Sequence, residues 1–433
     1  MNRRQFLLAS GAAGTRATVL AAQRRPNVLL INTDDQRFDT IAALGNPEIH
    51  TPALDGLVRR GFSFTNCYSQ GGMVPAMCLP SRTMLMTGRS VFHIPGRNDP
   101  PPPGLPFLAK AFEQAGYRTY HYGKKGNTYV PASEAFQIKL YSQDDAAVRA
   151  VQSERHADQV IEWMRSNGAA QPFFIYMAPP VPHDPRLAPQ RFLDMYDPAK
   201  ITLPKNFLPE HPFDNGELKV RDEMLAPFPR TPDVMRRHLA DYYATISCLD
   251  HHVGRILDAL KQTGLEDNTI VLFTSDQGLA VGGRHGLMGK QNLYEDFKSP
   301  LIVAGPAIRQ GRSAALAHMH DLFPTLCGLA GVPVPSGVEG LSLAPVIRGE
   351  QSKVRDYAFA VYKDVQRMVR DERWKLIWYP KVARFQLFDL AADPWELRDL
   401  STDPAHAARL AEMKRRLAEQ QNQYDDKAAP RPV

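Results

Sequence analysis

The sequence predicts an α/β protein with a large, mostly parallel central sheet flanked by helices, followed by a small antiparallel sheet with one helix. Through residues 25–350, short apolar runs alternate with helical patterns, which is typical of a parallel sheet covered on both faces. From about residue 351, short segments of partly alternating polarity take over. The 433 residues, 43% of them hydrophobic, are enough to bury cores of this size. We therefore expect a main domain over residues 25–350 and an α+β subdomain over residues 351–425.

Three apolar runs predict buried parallel strands, at residues 26–32, 172–178 and 270–275. Polar residues follow each run: Asp34 and Asp35 after the first, His183 after the second, and Asp276 and Gln277 after the third. In open α/β sheets, ligands bind beyond the carboxyl ends of the strands. The sequence therefore predicts one site to which all three strand ends contribute.

Helical patterns lie between these strands. They cover residues 51–61, 80–88, 105–116 and 235–264. The first begins at Thr51-Pro52 and ends at Gly61, since proline is favoured at the start of a helix and glycine at its end. Cys78 is expected just before the start of the second helix.

Residues 201–232 are rich in proline and charge and have little periodicity. A long segment of this kind is either a functional loop or a surface insertion, and the sequence favours neither. As a functional loop it would form a wall over a substrate pocket.

The C-terminal part has a pattern of its own. It predicts strands at 356–361, 366–369, 374–379 and 385–390 and a final helix at 406–424. The last residues, 426–433, are expected to be disordered.

The first 21 residues are predicted to be a targeting segment. Arg3 and Arg4 precede a short, weakly apolar stretch from Phe6 to Gly14, an arrangement that resembles a twin-arginine export signal. The alternative is a basic, disordered tail. We expect export to the periplasm or the outside of the cell. Removal of the segment would lower the net charge from +6 to about +3.

Other features of the composition limit the class of protein. No block of lysine and arginine predicts a nucleic-acid-binding surface. No apolar run reaches the roughly 18 residues that span a bilayer, so no transmembrane segment is expected. The four cysteines are too few and too scattered for a disulfide framework, although a single bridge stays open.

Cys78 begins the run C-x-P-S-R, which ends at Arg82, and Thr87-Gly88-Arg89 follows. A lone cysteine is most often a small buried hydrophobic residue. These flanking residues, however, resemble the signature of type I sulfatases, members of the alkaline phosphatase superfamily. The resemblance implies that a formylglycine-generating enzyme oxidises Cys78 to formylglycine, before export if the twin-arginine route is used.

Asp34, Asp35, Asp276 and Gln277 offer oxygen ligands of the kind that hard divalent cations prefer, and a cation would relieve the repulsion between crowded carboxylates. Taken alone, an Asp pair after a strand is more often a turn or a helix cap. The resemblance to the superfamily's metal site implies one Ca²⁺ per chain, with residue 78 as a further ligand. Gln277 stands where the family most often has asparagine.

The resemblance also assigns catalytic groups: Cys78, Arg82, Lys124, His183 and Lys290. It implies that one hydroxyl of hydrated formylglycine attacks the sulfur of a sulfate ester. The arginine and the two lysines would neutralise the sulfuryl oxygens, and His183 or Lys290 would protonate the leaving oxygen. The second hydroxyl then loses its proton and sulfate departs. Possible substrate-binding residues are His285, Asp184 and Arg186.

One position departs from the family pattern. Gly123 and Lys124 resemble the family's G-K-W-H segment, but the position of its histidine is Gly126 here. That histidine usually helps to deprotonate the formylglycine hydrate. His121, Lys125 and Asn127 stay open as substitutes.

The resemblance extends to Asp393-Pro394 and the residues up to Leu400, so it covers most of the chain. It implies an alkaline-phosphatase-like fold and a sulfuric ester hydrolase that acts on a small or oligosaccharide sulfate ester, with a sulfated carbohydrate as the expected substrate. A phosphoric or phosphonic ester hydrolase on the same scaffold is the nearest alternative. A non-catalytic carbohydrate-binding protein is an alternative from another class.

Overall fold

The computed structural model describes residues 25–124, 126–142, 150–167 and 170–432. The predicted targeting segment at 1–21 and Lys125 lie outside the described residues. The strands are β1 (Asn27–Thr33), β2 (Phe62–Tyr68), β3 (Gly71–Gly72), β4 (Arg118–Lys124), β5 (Ile138–Ser142), β6 (Phe173–Ala178), β7 (Thr269–Ser275), β8 (Lys298–Ala304), β9 (Gly311–His318), β10 (Ala358–Tyr362), β11 (Gln366–Arg370), β12 (Trp374–Tyr379) and β13 (Arg384–Asp389). The helices are α1 (Pro52–Arg60), α2 (Cys78–Thr87), α3 (Leu108–Gln114), α4 (Val130–Glu134), α5 (Gln152–Asn167), α6 (Gln190–Leu193), α7 (Pro232–Gln262), α8 (Leu322–Ala330), α9 (Ala344–Arg348) and α10 (Ala407–Gln423).

The larger sheet has eight strands in the order β5-β4-β6-β1-β7-β8-β2-β9. The five strands from β5 to β7 in this order are parallel to one another. β8 is antiparallel to β7 and β2, and β9 is parallel to β2. The prediction of a large, mostly parallel sheet is confirmed, and the three predicted strands are β1, β6 and β7.

The central strand β1 is buried on both faces because its side chains alternate between two helical layers. Val28 and Leu30 pack with residues of α2, α3, α4, α8 and α9, whereas Leu29 and Ile31 pack with residues of α1, α5 and α7. Burying an aliphatic side chain of this size contributes about 1.5–3 kcal/mol, so the apolar runs are stable only between two layers. This burial leaves the carboxyl ends of the strands as the place for polar groups.

The predicted helices are present, with small differences at their ends. The helix predicted over 235–264 is α7, which starts three residues earlier, with Pro232 in its first turn. The helix predicted over 80–88 is α2, and Cys78 is its first residue rather than the residue before it. None of the described helices is both long and apolar enough to cross a bilayer.

The smaller sheet has five strands in the order β13-β12-β11-β10-β3. Its four C-terminal strands form an antiparallel meander, as predicted, and α10 packs on one face through Met413 and Leu417. The fifth strand, β3, comes from the N-terminal part of the chain and pairs in parallel with β10. At Gly71 a Cβ atom would lie 1.8 Å from the backbone oxygen of Val361, so only glycine fits there. The segment that leads to Cys78 is thereby attached to the smaller sheet.

Asp426, near the C-terminal end, has defined contacts. Disorder was predicted from residue 426 onward, but Asp426 is buried and its Oδ2 lies 2.6 Å from Nε of Arg367. Gln421 Nε2 donates to the same oxygen. A buried ion pair holds this residue because Arg367 would otherwise be left as an unpaired buried charge.

Candidate active site

The ends of β1 and β7 bring the predicted polar residues together. The two strands are parallel neighbours, so Asp34 and Asp35 emerge beside Asp276 and Gln277. The backbone N–H of Asp35 donates to Asp276 Oδ1 at 3.0 Å. β6 lies on the other side of β1, and Asp34 N donates to the oxygen of Val181 in the loop that follows it. Three strand ends therefore meet at one point.

Asp35 has a left-handed backbone conformation, with φ of 68°. Such a conformation is uncommon outside glycine, although aspartate tolerates it better than most residues. The hydroxyl of Tyr242 in α7 donates to the backbone oxygen of Asp35 at 2.7 Å and accepts from the backbone N–H of Arg37 at 2.8 Å. These bonds hold the turn that directs the two aspartates to the same side.

The C-x-P-S-R run positions Cys78 through its neighbours. Pro80 packs against β3, where a Cβ on Gly72 would lie 2.5 Å from the proline ring. The Ser81 hydroxyl donates to the backbone oxygen of Asp276 at 2.5 Å. Pro80 and Ser81 thus attach the start of α2 to β3 and to the residue that follows β7.

Cys78 is fully buried among charged groups. Its Sγ lies 3.2 Å from Asp34 Oδ1, 3.2 Å from Gln277 Nε2 and 3.3 Å from Lys290 Nζ. Burial, together with the negative charges of Asp276 and Asp34, raises the pKa of the Cys78 thiol well above its usual value. The thiol is therefore held in its neutral form. Cys78 is unbridged, as are the three other cysteines, which are also buried.

Three buried cations surround the carboxylates. Arg82 Nε lies 3.0 Å from Asp276 Oδ2, and Lys124 Nζ donates to Asp34 Oδ2 at 2.6 Å. Lys290 Nζ donates to both oxygens of Asp35, at 3.0 and 2.8 Å. Burial would raise the pKa of Asp34, but Lys124 and Arg82 lower it well below its usual range. Asp34 is therefore a carboxylate and the lysines are ammonium groups.

His183 faces the carboxylates with one ring nitrogen. Its Nδ1 lies 2.7 Å from the backbone oxygen of Asp184, and a carbonyl only accepts, so Nδ1 carries a proton and donates it. Nε2 lies 3.7 Å from Asp35 Oδ2. The backbone of the next residue thus fixes both the tautomer of His183 and the direction of its other nitrogen.

The donors at this point fit a hard divalent cation. One ligand atom from each of Asp34, Asp35, Cys78 and His183 lies within 4.8 Å of the others. Burial and the neighbouring charge of Asp34 raise the pKa of Asp276, a repulsion that a cation would remove. Gln277 Oε1 is buried without a hydrogen-bond partner in the described residues. Because Gln277 Nε2 now donates to Asp35, the amide would have to turn over to present that oxygen as a ligand.

The three possible substrate-binding residues have different positions. Asp184 lies beside the site, and its carboxylate accepts from both terminal nitrogens of Arg221. Arg186 is buried with its guanidinium carbon 5.4 Å from the centre of the Tyr242 ring, and its Nε and Nη2 have no partner within the described part of the chain. His285 belongs to another cluster: its Nε2 lies 3.2 Å from Glu295 and its ring stacks on Tyr294. The structure therefore does not bring His285 to Cys78.

Of the residues considered as substitutes for the missing histidine, His121 does not fit. It is buried among the rings of Phe136, Tyr141 and Tyr176. Burial and the charge of Arg82 lower the pKa of His121 to about 3, so it is a poor base at neutral pH. Asn127 has no basic group, and Lys125 is outside the described residues.

Sequence reasoning missed three consecutive residues beside the site: Arg221, Asp222 and Glu223. Arg221 binds Asp184, Asp222 Oδ2 lies 3.9 Å from Lys290 Nζ, and Glu223 accepts from the backbone N–H of Gly289 at 2.7 Å. The only signal was their location in the segment 201–232, which was predicted either to cover a pocket or to be a surface insertion. The structure places this part of the segment against the site.

Known proteins that resemble this chain support an identification. A family model described as sulfatase matches residues 26–332, and one described as the C-terminal part of N-sulphoglucosamine sulphohydrolase matches residues 283–423. The N-acetylglucosamine-6-O-sulfatase of Bacteroides thetaiotaomicron is 26% identical, over 93% of this chain and 87% of that protein.

Two solved structures share the fold. A protein in complex with its substrate D-glucosamine-2-N,6-O-disulfate has a TM-score of 0.78 and 24% identity, covering 93% of this chain and 99% of that one. The phosphonate monoester hydrolase of Agrobacterium radiobacter also has a TM-score of 0.78, with 23% identity, covering 92% and 96%. Fold and family matches together define a sulfuric ester hydrolase on an alkaline-phosphatase-like scaffold. The chain belongs to the sulfatase family.

Proposed function

We propose that the protein releases sulfate from a sulfated carbohydrate, with formylglycine at position 78 and one Ca²⁺ held by Asp34, Asp35, Asp276 and Gln277. The observation that carries the proposal is that Cys78 lies within hydrogen-bonding distance of both a carboxylate and a lysine at the meeting point of three strand ends. A buried thiol in an ordinary core has apolar neighbours instead.

The two groups that would complete the site supply distinct chemistry. Ca²⁺ would supply positive charge among the carboxylates, and hydrated formylglycine would supply a hydroxyl nucleophile. The oxygen donors of the three aspartates suit such a hard cation better than a softer metal. Maturation would require a formylglycine-generating enzyme as a partner, and export through the twin-arginine route is part of the same proposal.

Lys124, Lys290 and Arg82 would bind the oxygens of the sulfate group. Their charges are held in place by carboxylates and do not have to move as negative charge develops, which is the condition for electrostatic stabilisation of a transition state. Arg82 Nη1 and Nη2 have no hydrogen-bond partner among the described residues. Nη2 lies 3.4 Å from Asp34 Oδ2, and the N–H groups of the two nitrogens that make no hydrogen bond would be available to a sulfate oxygen.

His183 is the proposed proton donor to the leaving oxygen. Its Nδ1 is occupied by the Asp184 carbonyl, so a second proton on Nε2 would face the site and could be given up there. Lys290 is the alternative donor, but its ammonium group already donates to both oxygens of Asp35. The geometry therefore favours His183.

A carbohydrate substrate is supported by the named activity of the relative from Bacteroides thetaiotaomicron and by the sugar disulfate in the structural neighbour. Charged side chains lie at the entrance to the site, among them Arg221, whose side chain is 61% exposed. The second candidate is hydrolysis of a phosphonate or phosphate ester, which the phosphonate monoester hydrolase with the same fold supports.

The test uses protein co-expressed with a formylglycine-generating enzyme. Mass spectrometry of the peptide that contains residue 78 should find the aldehyde. Sulfate release should occur from members of a panel of sulfated mono- and oligosaccharides. An unmodified thiol at full activity would overturn the nucleophile, and release only from aryl or choline sulfates would overturn the carbohydrate substrate. Faster cleavage of aryl phosphonates or phosphates would favour the second candidate.

A further inference from the structure

We infer that Arg221, Asp222 and Glu223 act as a positioning element, here called the 221–223 clamp, which holds the loops of His183 and Lys290 in place relative to each other. The inference rests on the proposed function, because it matters for catalysis only if His183 and Lys290 act on the substrate. Each of the three residues makes a polar contact with one of these loops. None of them is among the residues around Cys78 itself.

Arg221 holds the His183 loop. Its Nη1 donates to Asp184 Oδ1 at 3.0 Å and its Nη2 donates to Asp184 Oδ2, which makes a two-pronged pair. The backbone oxygen of the same aspartate accepts from His183 Nδ1. Arg221 therefore fixes the residue that sets the direction of the His183 ring.

Asp222 lies between the two loops. Its Oδ1 accepts from Arg221 Nη1 at 2.7 Å, and its Oδ2 accepts from Gln291 Nε2 at 2.9 Å. Lys290 Nζ is 3.9 Å from the same Oδ2. Through this carboxylate, the arginine that binds the His183 loop is connected to the Lys290 loop.

Glu223 holds the backbone just before Lys290. Its carboxylate is buried and accepts from Met288 N at 2.8 Å and from Gly289 N at 2.7 Å. Arg230 Nη2 balances its charge at 2.6 Å. A Cβ on Gly289 would lie 2.5 Å from Gln291 Oε1 and 2.9 Å from Glu223 Oε1, so a larger residue would displace these side-chain ends. The start of the Lys290 side chain is thereby fixed.

The clamp connects parts of the chain that are distant in sequence. Arg221 and Asp184 are 37 residues apart, and Glu223 and Met288 are 65 residues apart. Misplacement of a reacting group by about 1 Å can cost about 100-fold in rate. The clamp would therefore act on the rate constant more than on the stability of the fold.

Arg221 offers a matched control elsewhere in the molecule. Its pair with Asp184 has side-chain exposures of 61% and 10%, and the pair of Arg373 with Asp389 in the smaller sheet has 60% and 11%. The second pair is also two-pronged, with distances of 2.9 and 2.6 Å. Arg221→Ala and Arg373→Ala therefore both remove an arginine of the same exposure from a two-pronged pair with an aspartate, and Arg221→Ala removes in addition the contact with Asp222.

The experiment compares the wild type, both alanine variants and Arg221→Lys. For each protein we would measure kcat, KM, the thermal midpoint, and hydrogen exchange of peptides covering residues 183–186 and 287–291. Arg221→Ala should lower kcat about tenfold with a smaller change in KM, and should raise exchange in both peptides. Arg221→Lys should recover part of kcat, because lysine can pair with one oxygen but not with two. Arg373→Ala should match the wild type in kcat and in these two peptides.

Two results would overturn the clamp. One is a kcat of Arg221→Ala within twofold of that of Arg373→Ala, and the other is unchanged exchange in both peptides. If the wild type releases no sulfate from any ester, the proposed function fails, but the exchange measurement still decides whether the clamp orders the two loops. A lower thermal midpoint in Arg221→Ala than in Arg373→Ala, with kcat of the folded protein unchanged, would assign Arg221 a purely structural role and also overturn the inference.

Discussion

In two buried clusters, lysine and arginine pair with carboxylates, but one of the two also contains a cysteine thiol and an amide oxygen without a partner in the described residues. The site cluster consists of Asp34, Asp35, Cys78, Arg82, Lys124, Asp276, Gln277 and Lys290. The structural cluster consists of Arg284, His285, Glu295, Lys375 and Glu396. In the structural cluster, Lys375 Nζ lies 2.8 and 3.0 Å from the two oxygens of Glu396, and Arg284 pairs with Glu295 at 2.5 Å. In the site cluster, three carboxylates crowd together and Gln277 Oε1 has no partner within the described chain.

A group of acidic and histidine side chains does not by itself indicate a ligand site. His285, Glu295 and Glu396 have ligand atoms within 4.8 Å of one another, as the residues around Cys78 do. Arginine and lysine pair with those two glutamates, and Lys124, Lys290 and Arg82 pair with the site carboxylates, so a cation would have to displace a positive charge in either cluster. Like charges also lie close together in both clusters: burial and Asp34 raise the pKa of Asp276, and burial and Glu295 raise the pKa of Glu396. What favours a cation in the site cluster is Gln277 Oε1, an amide oxygen that has no hydrogen-bond partner in the described residues.

The substitution with the largest expected effect lies in the site cluster and lowers activity rather than stability. Cys78→Ala should lower kcat about 10⁴- to 10⁶-fold, because it removes the nucleophile, while the free energy of unfolding changes little. Sulfate release and the thermal midpoint measured on the same preparation check this. A variant that keeps activity within tenfold of the wild type would mean that residue 78 is not the nucleophile.

The next effect is on stability and lies in the structural cluster. Lys375→Met leaves Glu396 as an unpaired buried charge and should lower the free energy of unfolding by about 3–5 kcal/mol. The folded fraction should keep its kcat. Adding Glu396→Gln should recover part of the loss, because the second change removes the unpaired charge. Urea unfolding of the single and double variants tests this, and a loss of activity without a loss of stability would contradict the distinction.

A third substitution tests the role of Lys290 in the site cluster. Lys290→Met should lower kcat about 10²- to 10³-fold, since it removes a fixed charge at the sulfate group. Because Lys290→Met also leaves Asp35 without its ammonium partner, its free energy of unfolding should fall as well, and kcat is compared for the folded fraction, which circular dichroism measures. If this variant and folded Lys375→Met had equal kcat values, a buried lysine in the site cluster would have no greater effect on kcat than one in the structural cluster.

The smallest expected effect is the response to metal. Calcium at 100 times its dissociation constant should stabilise the wild type by about 2.7 kcal/mol, and chelation should reverse this. The variant Asp276→Asn should respond less, because it removes a ligand charge from the site cluster. Lys375→Met should respond as the wild type does. Scanning calorimetry with and without a calcium chelator makes the comparison, and a response of equal size in all three proteins would place the metal elsewhere.

Local pattern was enough to predict most elements of the fold. The run at residues 26–32 is continuously apolar because neighbouring side chains such as Leu29 and Leu30 pack against opposite helical layers. A strand that is buried on both faces can therefore be recognised in the sequence. The small sheet was predicted from partly alternating polarity, which is also a short-range signal. The contact of Asp426 with Arg367 leaves no such local signal, because the two residues are 59 positions apart.

Consecutive residues were enough to predict which polar groups follow the strand ends and meet at the candidate site. Cys78 with its flanking residues, the aspartates after two strands and His183 after a third are all local features, since strand ends and short motifs are written in consecutive residues. Their order along the chain, with parallel strands between them, was enough to expect one shared site.

The tertiary structure alone decided which side chains share that site. His285 and Lys290 are five residues apart, yet the first joins Glu295 in the structural cluster and the second joins Asp35. Arg221, Asp222 and Glu223 reach the site from an irregular segment. The physical reason is that burial produces a periodic pattern of apolar residues in the sequence. Pairing between charges depends instead on how loops are arranged in space, and loops have no such periodic pattern.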